Sequence, residues 1–140
     1  MKCGISVTQE VKDLYKKEVQ PRKNTKAGFI IKINEKDEIE IEKTFDDPKT
    51  FDIEEDLKSL PTDDSRIIVL NYHFTKEGSN ADMSELLAIL WCPSSLPGKK
   101  KMKYSTSFKG IIQQLPALKI DIQADCLGDI TKEKIIKKLS

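Results

Sequence analysis

Residues 91–107 read WCPSSLPGKKKMKYSTS and place Lys99, Lys100, Lys101 and Lys103 where a helix should begin. That is the unfavourable end for lysine. A helix N-terminus carries a partial positive charge, so each poorly screened cation there opposes folding by roughly 0.3–1 kcal/mol. A feature that works against the fold is a candidate for binding something acidic. Tyr104, Ile111 and Leu115 then follow at a spacing suited to core contact, so the lysines open the longest helix of the chain, roughly 99–115, which Pro116 closes.

Working outward, the runs IIVL at 67–70 and LLAILW at 86–91 mark strands over 66–74 and 85–91, central and buried on both faces. TKEGSNADMS, residues 75–84, is their exposed connection. Towards the N-terminus, Thr8 can cap a helix whose apolar positions Val11, Leu14, Tyr15 and Val19 follow the helical period, with Glu10 in its first turn and Asp13 and Lys17 as an i,i+4 pair. Pro21 and the polar residues 22–26 end it. Residues 29–33 and the alternating EIEIEK at 38–43 form a hairpin joined by 34–37. After the loop at Asp46, Asp47 and Pro48, an amphipathic helix over 51–60 turns Phe51, Ile53, Leu57 and Leu60 inward, and Pro61 stops it. A last strand over 118–123 precedes a terminal helix over 131–139, with Ile135, Ile136 and Leu139 inward and Lys137 and Lys138 favourably placed near its end. The fold class is α/β, of the mixed α+β kind: a central mixed five-stranded sheet flanked by helices on both faces.

With 140 residues and 38% hydrophobic content, the chain matches one domain spanning 1–140 with one packed core, and no internal repeat or linker divides it. Charged residues make up 34%, but 24 basic against 23 acidic leaves a net charge of +1. Whole-molecule attraction to nucleic acid or membrane is therefore not indicated, and electrostatic function must come from local patches. Cys3, Cys92 and Cys126 are widely spaced, odd in number and without a paired-ligand pattern, which fits a reducing compartment. The N-terminus lacks the apolar run of a secretory signal, and no stretch approaches the roughly 18 apolar residues of a membrane span. A soluble, cytoplasmic monomer is expected.

Catalytic and metal patterns are weak. The one histidine, His73, sits on an expected strand without a second ligand type nearby, so a structural role is favoured over a metal ligand or base. Glu54, Glu55 and Asp56 read as a solvated helix face. Gly98 and Lys99 resemble a fragment of a phosphate loop without the GxxxxGK[ST] pattern. No enzyme activity, cofactor or metal is expected. Lysines beside Tyr104 could contact nucleic acid, but balanced charge and the lack of an aromatic platform rank this below protein or lipid binding.

The residues resemble the actin-depolymerising factor/cofilin family in order along nearly the whole chain. The resemblance runs through Cys-Gly-Ile-Ser-Val at 3–7, through Leu60-Pro61 with Asp63, Asp64 and Arg66, and through Trp91-Cys92-Pro93. It continues in Lys101-Met102-x-Tyr104-Ser105-x-Ser107 and in Asp121-Ile122-Gln123-Ala124-Asp125. It implies the ADF-homology fold and a non-enzymatic partner of actin that prefers ADP-actin, slows monomer nucleotide exchange and promotes filament turnover. The implied monomer-binding residues are Cys3, Gly4, Ile5 and Ser6, then Lys99, Lys101, Met102, Ser105 and Thr106, with the neighbourhood of residues 125–130. Met102 would be a pliable apolar contact and the lysines would meet acidic rim groups. Phe108 has two readings, core or exposed; exposure would add to the apolar side of the contact.

Departures from the family pattern refine the expectation. Many members carry bases at the foot of the strand leading to W-x-P, where they touch a second actin in the filament. Here Asp82, Met83, Ser84 and Glu85 stand there. Filament binding, involving Glu85, Lys137 and Lys138, should be weak, with monomer binding dominant. The long helix is less basic after its first turn, with Ile112 and Gln113 where the family often has Lys or Arg. Cys3 replaces a serine that many relatives phosphorylate, and Ser6 is expected to stay unmodified. Lys99, Lys101 and Lys103 could also hold phosphoinositide head groups. The closest alternative is a glia maturation factor-like binder of the actin branching complex.

Overall fold

The computed structural model describes residues 7–21, 23–75, 78, 81–118 and 120–139. Strands β1 (Gly28–Ile33), β2 (Ile39–Phe45), β3 (Arg66–Thr75), β4 (Asp82–Trp91) and β5 (Ile120–Ala124) form one sheet in the order β2-β1-β3-β4-β5. The β4–β5 pair is parallel and the other pairs are antiparallel, so the sheet is mixed, as expected. The helices are α1 (Gln9–Leu14), α2 (Ile53–Asp56), α3 (Gly98–Gln114) and α4 (Lys132–Leu139).

Strand periodicity distributes the core. Ile68, Leu70, Tyr72 and Phe74 of β3 turn to one face, where they join Ile53 and Leu57 from the α2 segment and Ile135 of α4. Ile67 and Val69 turn to the other, against Val11, Tyr15 and Val19 and against Tyr104, Phe108 and Ile111 of α3. Successive residues of a strand face opposite ways, so a run such as IIVL is stable only where both faces are covered. All four of its residues are fully buried. Gly28 lets β1 lie close to β3: a Cβ there would come within 2.1 Å of the Val69 carbonyl oxygen.

Element ends differ from expectation for local reasons. Thr8 caps α1 by accepting the Val11 N–H at 3.3 Å, but after Leu14 the helix widens into a π turn, Tyr15–Val19. That turn directs the Tyr15 hydroxyl to the Pro116 carbonyl at 2.6 Å and leaves the Val19 carbonyl to accept from the Asn71 amide at 2.8 Å. The expected helix over 51–60 is a single turn, Ile53–Asp56, capped by Asp52, which accepts from the N–H groups of Glu54 and Glu55. Proline at 61 disfavours helix at Leu60, yet Leu57 and Leu60 remain buried without helical backbone. β3 and β4 reach Thr75 and Asp82, shortening the connection to residues 76–81, and the last strand starts at Ile120.

One end of the sheet collects several of the segments expected from the sequence to form the binding surface. The β1–β2 turn is tied by Asn34, whose Oδ1 accepts from the N–H groups of Lys36 and Glu38 at 2.9 and 3.0 Å. Because β1 and β4 both run antiparallel to β3 and β5 runs parallel to β4, this turn lies at the same end as residues 61–65, the entry to α3 and the turn after Ala124. Trp91, buried at that end, donates its indole N–H to the Pro61 carbonyl at 2.6 Å, and the Ser65 hydroxyl donates to the Trp91 carbonyl.

Candidate functional site

At the end of β4 the Cys92 N–H donates to the Ala124 carbonyl at 2.8 Å, and the chain turns through Pro93 and the buried Leu96 to Pro97. Pro97 occupies the N-cap of α3 without a side-chain hydrogen bond, and the first turn holds no acid. The helix therefore begins with its positive end uncapped. Tyr104, Ser107, Phe108 and Ile111 face the sheet. Lys99, Met102, Lys103 and Thr106, spaced i, i+3, i+4 and i+7, form the exposed strip, with Met102 at 70% exposure. Lys101 and Ser105 flank it, half-buried. Phe108 is 2% exposed, which decides its two readings for the core and removes it from the exposed strip.

The four lysines are not equivalent. Lys100 Nζ lies 3.0 Å from Asp64 and Lys103 Nζ lies 2.5 Å from Asp37 at the β1–β2 turn. Lys101 Nζ donates to the Ser94 carbonyl at 2.6 Å. Among the described residues Lys99 has no ion-pair partner. Asp64 also receives Arg66 Nη1 at 2.6 Å and the Ser65 N–H at 2.8 Å, and Arg66 continues to Glu42 at 3.0 Å. Burial pushes the Asp64 carboxyl up, but its bonds from Arg66, Lys100 and the Ser65 N–H prevail and hold it below the usual carboxylate range. The charge that opposes the α3 N-terminus is thus partly balanced by acids brought from two other segments.

Other expected site residues fall as follows. Ser105 donates its hydroxyl to the Lys101 carbonyl at 2.6 Å, and Thr106 is exposed. Cys3, Gly4, Ile5 and Ser6 lie outside the described residues; Val7 donates its N–H to Gln114 Oε1 at 3.3 Å, near the far end of α3. The turn after β5 is a 3-10 segment, Leu127–Asp129, with Leu127 45% exposed. Trp91 pairs with Ala124 in the parallel β4–β5 register, so this turn and the start of α3 leave the sheet side by side. Leu127 lies within the neighbourhood of residues 125–130 that the family resemblance implied, although the sequence alone did not single it out. Asp125, Cys126 and Asp129 group candidate ligand atoms within 4.8 Å of one another, but the Asp125 N–H already donates to Asp129.

The residues expected from the sequence to serve filament binding lie elsewhere. Glu85 is half-buried opposite Tyr72, and Asp82, Met83 and Ser84 are exposed at the start of β4, the opposite end of that strand from α3. Lys137 and Lys138 are exposed in the last turn of α4. His73 is exposed, its Nε2 2.7 Å from Asn24 Oδ1. It borders a cleft of about 840 Å³ with Lys23, Phe51, Phe74 and Asp82.

Comparison with known proteins identifies the family and the fold. Residues 4–140 match the family model for cofilin/tropomyosin-type actin-binding proteins. Actin-depolymerizing factor 2 of Oryza sativa subsp. japonica is 34% identical over 122 residues, which cover 86% of this chain and 81% of that protein. A cofilin of Streptomyces griseoflavus shares the fold with a TM-score of 0.82 at 22% identity over 98% of each chain. A glia maturation factor of Caenorhabditis elegans shares it with a TM-score of 0.74 at 22% identity over 99% of each chain. No helix among the described residues is long and apolar enough to cross a membrane. A family match that runs from before α1 to beyond α4 takes in the sheet, both helical layers and the exposed α3 strip together, and the chain belongs to the cofilin/tropomyosin-type family of actin-binding proteins.

Proposed function

We propose that this chain is a single ADF-homology domain that binds actin monomers, preferring the ADP-bound form, and promotes filament depolymerisation, as a non-enzymatic cytoplasmic monomer. The observation that carries the reading is Met102, 70% exposed among Lys99, Lys103 and Thr106 at the uncapped start of α3. A large apolar side chain within a cationic, helical strip suits a partner with an apolar cleft and an acidic rim. Leu127, exposed at the same end of the sheet, extends the apolar part. The name of the Oryza relative, actin-depolymerizing factor, supports the turnover part of the reading.

Filament side-binding and severing are weak in this reading, because Asp82 and Glu85 put negative charge at the start of β4 and leave Lys137 and Lys138 as the basic contribution. A second reading, phosphoinositide binding through Lys99, Lys101 and Lys103, draws on the same cations but gives Met102 no role. A glia maturation factor-like role shares the fold. Co-sedimentation with actin filaments, reading pellet and supernatant, separates them. Actin released to the supernatant with little of this protein in the pellet is the expected result. Heavy pelleting at saturation would overturn the weak filament site, and no effect on either fraction would favour the branching-complex or lipid reading. Met102→Ala should weaken monomer binding about tenfold, the scale of an interface anchor, without lowering the unfolding midpoint.

A further inference from the structure

Lys103 lies in the middle of the exposed α3 strip, between Met102 and Thr106, yet its ammonium is held at 2.5 Å by Asp37 of the β1–β2 turn. Both partners are accessible, with side chains 41% and 59% exposed. A pair this open to solvent is weak, so an incoming carboxylate can replace Asp37 on Lys103. The turn is nevertheless fixed: the Asp37 N–H donates to the Asn34 carbonyl at 3.0 Å, and Asp37 adopts a left-handed backbone with φ of 61°. Tyr104, next to Lys103, accepts the Ile33 N–H at 2.9 Å, which locks α3 against the strand that leads into this turn. The acid is therefore presented to the strip by rigid elements on both sides.

We propose that Asp37 is an internal brake on the α3 contact, competing with the carboxylates of the protein partner for Lys103 and setting how much of the strip's charge is available for binding. The inference rests on the reading of α3 as the actin-monomer contact and adds a determinant outside the helix. Its chemistry is exchange of one ion pair for another: the partner's carboxylate takes Lys103, and Asp37 returns to water. The gain from removing Asp37 should be small, salt-dependent and conditional on Lys103. Asn at position 37 preserves the turn, since asparagine tolerates the left-handed conformation as well as aspartate does.

The test is titration of fluorescently labelled ADP-actin monomers with the full chain and with Asp37→Asn, Lys103→Gln and the double variant, at about 50 and 300 mM salt. Asp37→Asn should bind about twofold to fivefold tighter at the lower salt, the range of an exposed ion pair, and the gain should shrink at the higher salt. In the Lys103→Gln background the same change should give no gain. Equal tightening in both backgrounds would overturn the brake in favour of general charge repulsion. Unchanged or weaker binding by Asp37→Asn, with the unmodified chain binding normally, would overturn the brake and leave the actin reading standing. Absence of binding by the unmodified chain would overturn both. Thermal unfolding of Asp37→Asn within a degree or two of the unmodified chain verifies that the turn is retained.

Discussion

The hydroxyl of Tyr104 accepts the backbone N–H of Ile33 at 2.9 Å, fastening α3 to the last residue of β1. This bond fixes the helix both along its axis and about it, because Lys103 and Phe108 must then point to the β1–β2 turn and to the core. The exposed strip is a consequence of what the buried face has to satisfy.

Tyr104→Phe should lower stability by about 1 kcal/mol, since the ring still fills its place but the Ile33 N–H loses its acceptor. Urea unfolding would measure the loss. Actin affinity should change less than for Met102→Ala, because Tyr104 is 1% exposed and its packing remains.

Ser107 is fully buried, and its hydroxyl has no hydrogen-bond partner among the described residues. Burying an unpaired hydroxyl is costly, and alanine is the better helix former. Ser107→Ala should therefore stabilise by up to about 1 kcal/mol, seen as a melting temperature raised by roughly 3 °C. A clear fall in melting temperature would show that the hydroxyl has a role in folding that its surroundings do not reveal.

Ser107 also marks the boundary of what sequence reading could reach. The runs at 67–70 and 86–91 announced central strands because only two covered faces can accommodate every residue, and both sides of IIVL meet a helical layer. The spacing of Tyr104 and Ile111 placed Met102 outward for the same geometric reason. Charge partners were not legible: Asp37 is 66 residues from Lys103, and pairing at that separation depends on the sheet order that brings the β1–β2 turn to α3. The extent of α2 was missed because amphipathic spacing records which side chains are buried, and Leu57 and Leu60 reach the core from non-helical backbone. Leu127 fell within the neighbourhood of residues 125–130 implied by the family resemblance, but a lone apolar residue in a turn carries no period that would single it out.

Asp64 should shape the acid stability of the protein. Its folded carboxyl lies below its ordinary value of 3.8, so the stability it contributes is fully present above that value and is lost as pH falls through the lower folded value. Urea unfolding between pH 2.5 and 7 should show a steeper acid loss in the unmodified chain than in Asp64→Asn. The variant should also be less stable at pH 7, where Arg66 and Lys100 lose a shared partner. Parallel pH curves would mean that the ion pairs seen at Asp64 contribute no pH-linked stability.

Glu85→Lys tests the division between the two ends of the sheet. The substitution changes local charge by two at the start of β4, where Glu85 is half-buried opposite Tyr72 and a lysine stem can extend along the strand surface while its ammonium reaches water. If weak filament binding comes from the acids at this end, the fraction of protein in the actin pellet should rise severalfold at low salt and lose that gain as salt screens the new charge. Monomer affinity should stay unchanged, because the strand from Glu85 to Trp91, about 20 Å long, separates the substitution from the segment that leads into α3. Lys137→Glu and Lys138→Glu should act in the opposite direction on the pellet alone. A Glu85→Lys variant that bound monomers differently but filaments equally would assign Glu85 to the proposed monomer contact and remove the charge argument for the proposed weak filament binding.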